Sequence, residues 1–341
     1  MRIAIVNDML MAREALRRVL AAVPEYSLAW TARDGAEAVK RCAADTPDLI
    51  LMDLIMPVMN GVEATRQIMA QAPCAILVVT ATVEGHNAMV FEALGAGALD
   101  AVQTPEIGTT GELGGASALK LKIEAIRHIV SSSGDRRHSA GLHENLRSSS
   151  VPVSPLVVIG ASAGGPAALA TILHELPAGF PAPIIIVQHI DVQFAPSMAV
   201  WLDDQSPLTV RVANEGDQPQ SGVALIAASN DHLVFKGAQT LGYTPEPRAS
   251  HYRPSVDVFF ESVTNHWRGN ITAVLLTGMG RDGAKGLKAL RDAGALTIAQ
   301  DAHSCVVYGM PKAAAELGAA AEILPLDKIA DKLIAAMRLC T

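Results

Sequence analysis

A chain of 341 residues has room for two or three domains, and a composition that is 50% hydrophobic and 18% charged excludes an intrinsically disordered protein. With 27 Lys and Arg against 34 Asp and Glu, the net charge of -7 argues against nonspecific binding to nucleic-acid phosphates. Cysteines at 42, 74, 305 and 340 form no CxxC pair and no zinc spacing, so they read as reduced thiols of a cytoplasmic protein.

In chain order, apolar β-branched runs at 2–6, 27–31, 48–52, 75–80 and 98–102 alternate with amphipathic stretches such as 13–20 and 61–68. The run at 2–6 meets Asn7 and Asp8 at once and is too short for a signal peptide. A helix over 117–130 completes five strand–helix units, which predicts a parallel sheet with helices on both faces. Residues 131–152 are largely polar and Ser-rich, the composition of a flexible linker, and divide a first domain over 1–130 from a second over 153–341. Residues 151–173 carry no charge and are long enough for a membrane span. Pro152, Pro155, Gly160, Gly164, Gly165 and Pro166 would break such a helix, so the segment predicts a strand, a turn and a helix, and no membrane insertion. Further strands are predicted at 156–160, 183–188, 208–212, 223–227, 271–276 and 295–299, and a packed terminal helix at 328–338.

Ligands of an open parallel sheet gather at the carboxyl ends of its strands. In the first domain those ends carry Asp8, Asp53 and Thr80. Two carboxylates there make a hard-oxygen site suited to Mg2+, and a metal beside Asp53 would make that carboxylate usable as a phosphoryl acceptor. A pair of solvated or helix-capping aspartates is the competing reading. In the second domain, Gly160-Ala161-Ser162-Ala163-Gly164 fits the G-x-S-x-G elbow that lifts a serine onto a strand-to-helix turn. His189 ends the next strong strand and Asp282 follows a later one, so Ser162, His189 and Asp282 fall on one sheet edge with the residue types of a nucleophile, base and orienting acid. A histidine satisfied in the core and a capping aspartate would produce the same pattern.

The segment Met52-Asp53-Leu54-Ile55-Met56-Pro57 with Asn60-Gly61 resembles the phosphoacceptor loop of response-regulator receiver domains. Gly-Ala-Ser-x-Gly-Gly, Gln-His, Arg-Pro-Ser-Val-Asp and Gly-Met-Gly-x-Asp-Gly recur in order over 154–341, which resembles the catalytic domain of CheB-type protein-glutamate methylesterases. The fold class implied is α/β: an N-terminal (βα)5 receiver domain and a C-terminal doubly wound, mostly parallel methylesterase domain. Asp53 would then be phosphorylated, Asp8, Asp53 and the Ile55 carbonyl would hold Mg2+, and Thr80 would be the switch hydroxyl. Asn7 and Thr104 depart from the family, standing where it has an acid and a lysine; Asn7 can still offer a carbonyl oxygen.

The resemblance makes Ser162, His189 and Asp282 the catalytic triad, with oxyanion donors near Met279 and at Ala163, and no cofactor for the esterase. Ala163 stands where the family commonly has threonine. His251, Arg253 and Ser255 are candidate substrate contacts, with an Arg253–Asp257 pair as the alternative for the arginine; His232 and His303 read as surface or structural. The implied chemistry is hydrolysis of glutamate methyl esters, and deamidation of certain glutamines, on the cytoplasmic domain of methyl-accepting chemoreceptors. A sensor histidine kinase would be the phosphodonor, and the unphosphorylated receiver would partly cover the triad. Residues 2–9 and 54–65 also resemble the WspF-type methylesterases of surface-sensing systems, which govern a diguanylate cyclase and biofilm growth; a flagellar chemotaxis pathway would use the same chemistry. A transcriptional regulator would need a small basic helix-turn-helix domain, and a noncatalytic scaffold would not need the three residues.

Overall fold

The computed structural model describes residues 1–80, 87–107, 113–131, 155–237, 239–250 and 252–338. The chain divides into two compact units, Met1–Asp135 and Arg136–Thr341. The expected linker at 131–152 lies outside the described residues apart from Ser131, which ends a helix.

The first unit runs β1 (Arg2–Val6), α1 (Leu10–Ala21), β2 (Ser27–Ala32), α2 (Gly35–Ala44), β3 (Leu49–Met52), α3 (Gly61–Gln71), β4 (Ala75–Thr80), α4 (Asn87–Gly95) and β5 (Asp100–Gln103). Short strands β6 (Glu106–Ile107) and β7 (Leu113–Gly114) pair antiparallel before α5 (Ala116–Ser131). Strands β2-β1-β3-β4-β5 form one parallel sheet in that order. Ile3, Ala4, Ile5 and Val6 are all fully buried, as are Leu49 to Met52. Unbroken apolar runs of this kind suit a sheet covered on both faces. Side chains set the helix starts: Asp34 accepts from the Glu37 N–H, and Asn60 from the Glu63 N–H.

The second unit runs β8 (Leu156–Ala161), α6 (Gly165–Glu175), β9 (Ile184–Gln188), α7 (Ala195–Gln205), β10 (Thr209–Val212), β11 (Val223–Ile226), β12 (His232–Phe235), β13 (Leu241–Thr244), α8 (Val256–His266), β14 (Ile271–Leu275), α9 (Ala284–Asp292), β15 (Leu296–Gln300), α10 (Met310–Glu316), β16 (Glu322–Leu324) and α11 (Leu326–Arg338). Its main sheet has seven parallel strands in the order β10-β11-β9-β8-β14-β15-β16, and β12 and β13 make a separate antiparallel hairpin. The chain winds outward from β8 in one direction through β9 and, later, in the other through β14. The crevice beside β8 at the carboxyl ends is therefore a topological switch point, the place where such sheets bind ligands. The hairpin, β6, β7 and β16 were not among the expected strands. No helix among the described residues is long and apolar enough to cross a membrane.

Candidate functional site

Ser162 follows the last residue of β8 and is half-buried. Its backbone is held on three sides. The Ser162 N–H donates to the Thr277 carbonyl at 3.0 Å, while the Ser162 carbonyl accepts from the Gly165 N–H at 2.8 Å and from Gln188 Nε2 at 2.8 Å. Gly278 lies against it, since a Cβ at that position would stand 2.8 Å from Ser162 Cβ. The Thr277 hydroxyl donates to the Ala163 carbonyl at 2.9 Å, so the turn is braced although Ala163 has no hydroxyl of its own. Neither the Ala163 nor the Met279 N–H donates to any acceptor among the described residues.

His189 follows β9, and its N–H donates to the Ala161 carbonyl at 2.9 Å, which registers it beside the serine turn. Its Nε2 lies 2.8 Å from Asp282 Oδ2. Its Nδ1 is buried and has no partner among the described residues. With Nε2–H given to the carboxylate, the neutral ring leaves the Nδ1 lone pair as its free acceptor. The ring face stacks on Tyr252, with centroids 4.5 Å apart and planes 5° from parallel.

Asp282 is 8% exposed and sits at the N-terminus of α8. It accepts from Ser255 Oγ at 2.8 Å, the Val256 N–H at 2.6 Å and the Asp257 N–H at 3.1 Å. Burial alone would raise its pKa, but His189, Ser255 and Val256 together hold it below the usual carboxylate value. The positive end of α8 adds to this. Behind Ser255 stands His232, fully buried, whose Nδ1 accepts the Ser255 N–H at 3.1 Å and whose Nε2 lies 3.3 Å from the Pro247 carbonyl.

The structure thus brings together His189 and Asp282 and places Ser162 on the neighbouring strand end. It also corrects two readings. Ser255, expected as a substrate contact, is 2% exposed and turned to Asp282. Arg253 is exposed and donates to the Arg248 carbonyl, and it forms no pair with Asp257, which instead accepts from the Gly286 N–H at 2.7 Å. Burial first, with Asp282 nearby, pushes Asp257 up to about 6. His303 is exposed, as expected, and His251 lies outside the described residues. Sequence reasoning missed the parts played by His232 and Tyr252; the signal for the layer behind Asp282 was Ser255 standing as a cap just before a helical run.

In the first unit, Asp53 follows β3 and is 7% exposed. Burial pushes its pKa up to about 6, against the pull of the Leu54 and Ile55 N–H groups and with a further push from Asp8. Asp8 is exposed, Thr80 is buried at the end of β4, and Thr104 is buried with its hydroxyl unpartnered among the described residues. Asn7 differs from expectation: its Nδ2 donates to Asp53 Oδ2 at 2.9 Å and its Oδ1 accepts the Met9 N–H at 2.8 Å, so it serves Asp53 as a donor. Arg13, unremarked in the sequence, brings a cation to the acidic loop by donating to the Asn7 and Asp8 carbonyls at 2.6 and 2.8 Å. The mutual repulsion of Asp8 and Asp53 is what a divalent cation would relieve, and the hard-oxygen set Asp8, Asp53 and the Ile55 carbonyl fits Mg2+.

Comparison with known proteins agrees with this division. Residues 157–333 match the family described as CheB methylesterase, and residues 3–107 match the response regulator receiver domain. The chain is similar to a protein-glutamate methylesterase/protein-glutamine glutaminase 1 of Burkholderia lata, 57% identical over 341 residues, covering 99% of this chain and 100% of that one. It is similar to the protein of the same name in Bordetella avium, 56% identical, covering 98% and 96%. Among solved structures, the Thermotoga maritima CheB methylesterase catalytic domain matches with a TM-score of 0.52 and 40% identity, covering 53% of this chain and 97% of that one.

Proposed function

Because the chain belongs to the CheB methylesterase family, with an N-terminal receiver domain, we propose that it hydrolyses glutamate methyl esters on methyl-accepting chemoreceptors under control of phosphorylation at Asp53. The observation that carries this reading is the His189–Asp282 pair at 2.8 Å, with the unpartnered His189 Nδ1 left for Ser162 on the adjoining strand end.

Ser162 Oγ attacks the ester carbonyl while His189 Nδ1 takes its proton. Asp282, already an anion held by four donors, stabilises the imidazolium. The carbonyl oxygen, now negative, is met by the Ala163 and Met279 N–H groups, each such donor contributing roughly 10²–10³ in rate. His189 returns its proton to the leaving methoxide and methanol departs. Water then attacks the acyl-serine with His189 again as base, releasing the glutamate acid and free Ser162. A glutamine side chain follows the same route with ammonia as the leaving group. None of these steps draws on a cofactor.

In the receiver, Asp8, Asp53 and the Ile55 carbonyl would hold Mg2+, which when bound would supply positive charge against an incoming phosphoryl group. Asp53 attacks the phosphorus of a phosphorylated kinase histidine, and Thr80 follows the transferred group. Asn7 steadies the Asp53 carboxylate through its amide. The cellular setting is cytoplasmic, and a Wsp-type surface-sensing array fits residues 2–9 and 54–65 better than a flagellar one; deletion of the gene should raise cyclic di-GMP and leave swimming adaptation intact, whereas lost adaptation would assign it to the flagellar pathway. Mass spectrometry of a methylated receptor fragment tests the chemistry. The wild-type chain should convert methyl esters to acids and Ser162→Ala should leave them intact; equal conversion by both would point to a nucleophile other than Ser162.

A further inference from the structure

We propose that Tyr252 is a positioning residue for the general base, its ring face fixing the plane of His189 so that Nδ1 is presented to Ser162; this rests on the esterase reading above. One hydrogen bond, from Nε2 to Asp282, is the only one that anchors the imidazole among the described residues. Such a bond tolerates tens of degrees of tilt before it weakens steeply. A tilt of the ring about that anchor would swing Nδ1 away from the serine, and misplacements of about 1 Å cost on the order of 10²-fold in rate. The Tyr252 ring removes that freedom, lying 4.5 Å from the imidazole and within 5° of its plane.

Tyr252 is itself wedged in place. On its far edge, a Cβ at Gly280 would stand 2.3 Å from the Tyr252 hydroxyl, so a glycine there leaves room for that oxygen. Gly280 also holds φ +83, a conformation that favours glycine. The Tyr252 carbonyl accepts from the Ser250 hydroxyl at 3.0 Å, which ties the backbone behind the ring. The stack has a second consequence. While His189 carries the Ser162 proton, its positive charge faces an aromatic surface, an arrangement that attracts cations. Both effects come from the ring face; the hydroxyl adds only the contact at Gly280, and removing it leaves the stacked face in place.

The test compares Tyr252→Phe, which keeps the face, with Tyr252→Leu, which keeps apolar bulk without it, in the full-length protein. Tyr252→Phe should retain kcat within about threefold, while Tyr252→Leu should lose about 10- to 100-fold in kcat with KM changed less than about threefold. Independently of turnover, the His189 ring-proton NMR signals should be shifted upfield by the aromatic neighbour in wild type and in Tyr252→Phe, and return toward ordinary histidine positions in Tyr252→Leu. Full kcat in Tyr252→Leu would overturn the proposal. So would a Tyr252→Phe variant as impaired as Tyr252→Leu, because the hydroxyl would then be the acting group. A wild-type chain that releases no methanol but shows the upfield signals would indict the esterase reading and leave the stack standing.

Discussion

At the scale of single residues, His189 can serve as a base toward Ser162 only through whichever imidazole nitrogen is free. Nε2 belongs to Asp282 and Nδ1 to no described residue, so the carboxylate sets the tautomer as well as the orientation. Asp282→Asn should therefore lower kcat/KM by roughly 10³–10⁴ without unfolding the chain, read as methanol release beside circular dichroism. Ser255→Ala removes one of the donors that hold Asp282 below the usual carboxylate value, leaving the Val256 and Asp257 N–H groups in place. The Asp282 pKa should rise, and the acid limb of the pH–rate profile, where that carboxylate takes up a proton, should move to higher pH while the rate at neutral pH changes little. An unmoved limb would show that Ser255 serves folding alone. Ser162, His189 and Asp282 were legible because each stands at or just beyond the end of an apolar strand run. Ser255 and His232 were not, because the bonds joining them to each other and to Asp282 cross 23 and 27 residues of chain that only the folded unit brings together.

At the scale of elements, the sequence pattern was clearest where strands are buried on both faces. Every strand of the five-stranded parallel sheet stands within two residues of an expected run, and six of the seven strands of the larger sheet do so. The hairpin β12–β13 was hidden by its size, four residues a strand with Gly242 in the second. Three-residue β16 was too brief to show alternation. Strand β15 runs on to Gln300, a polar residue that is fully buried because its amide accepts from Thr277 N–H at 2.8 Å and donates to the Ser304 carbonyl at 2.8 Å. The contact between β8 and α8 matters most for the site, since one carries the serine turn and the other the donors to Asp282. At Gly160 an added Cβ would stand 2.3 Å from Val256 Cγ1 and 3.0 Å from Leu275 Cδ1. Gly160→Ala should force α8 away from the sheet, lowering stability by about 1–3 kcal/mol in denaturant unfolding and reducing activity more than the residual folded fraction explains.

At the scale of the whole molecule, two chemistries on two parallel sheets are joined through one chain. The receiver carries its own pH signature. The Asp53 pKa is raised from 3.8 to about 6 by burial, so the folded state holds a proton that the unfolded chain has released. That contribution to stability is fully present below the unfolded value and is lost as pH rises through about 6. The wild-type melting temperature should accordingly fall between those two values relative to Asp53→Asn, and Mg2+ should reverse the fall by favouring the carboxylate; parallel curves for the two proteins would refute a raised Asp53. The most direct test of a serine esterase governed by Asp53 is methanol release from methylated receptor membranes, with Mg2+ and with or without a small phosphodonor, for wild type, Ser162→Ala and Asp53→Asn. Wild type should release methanol and be stimulated by the phosphodonor, Asp53→Asn should release it without stimulation, and Ser162→Ala should release none. Release from Ser162→Ala equal to wild type, or stimulation that survives in Asp53→Asn, would contradict the account.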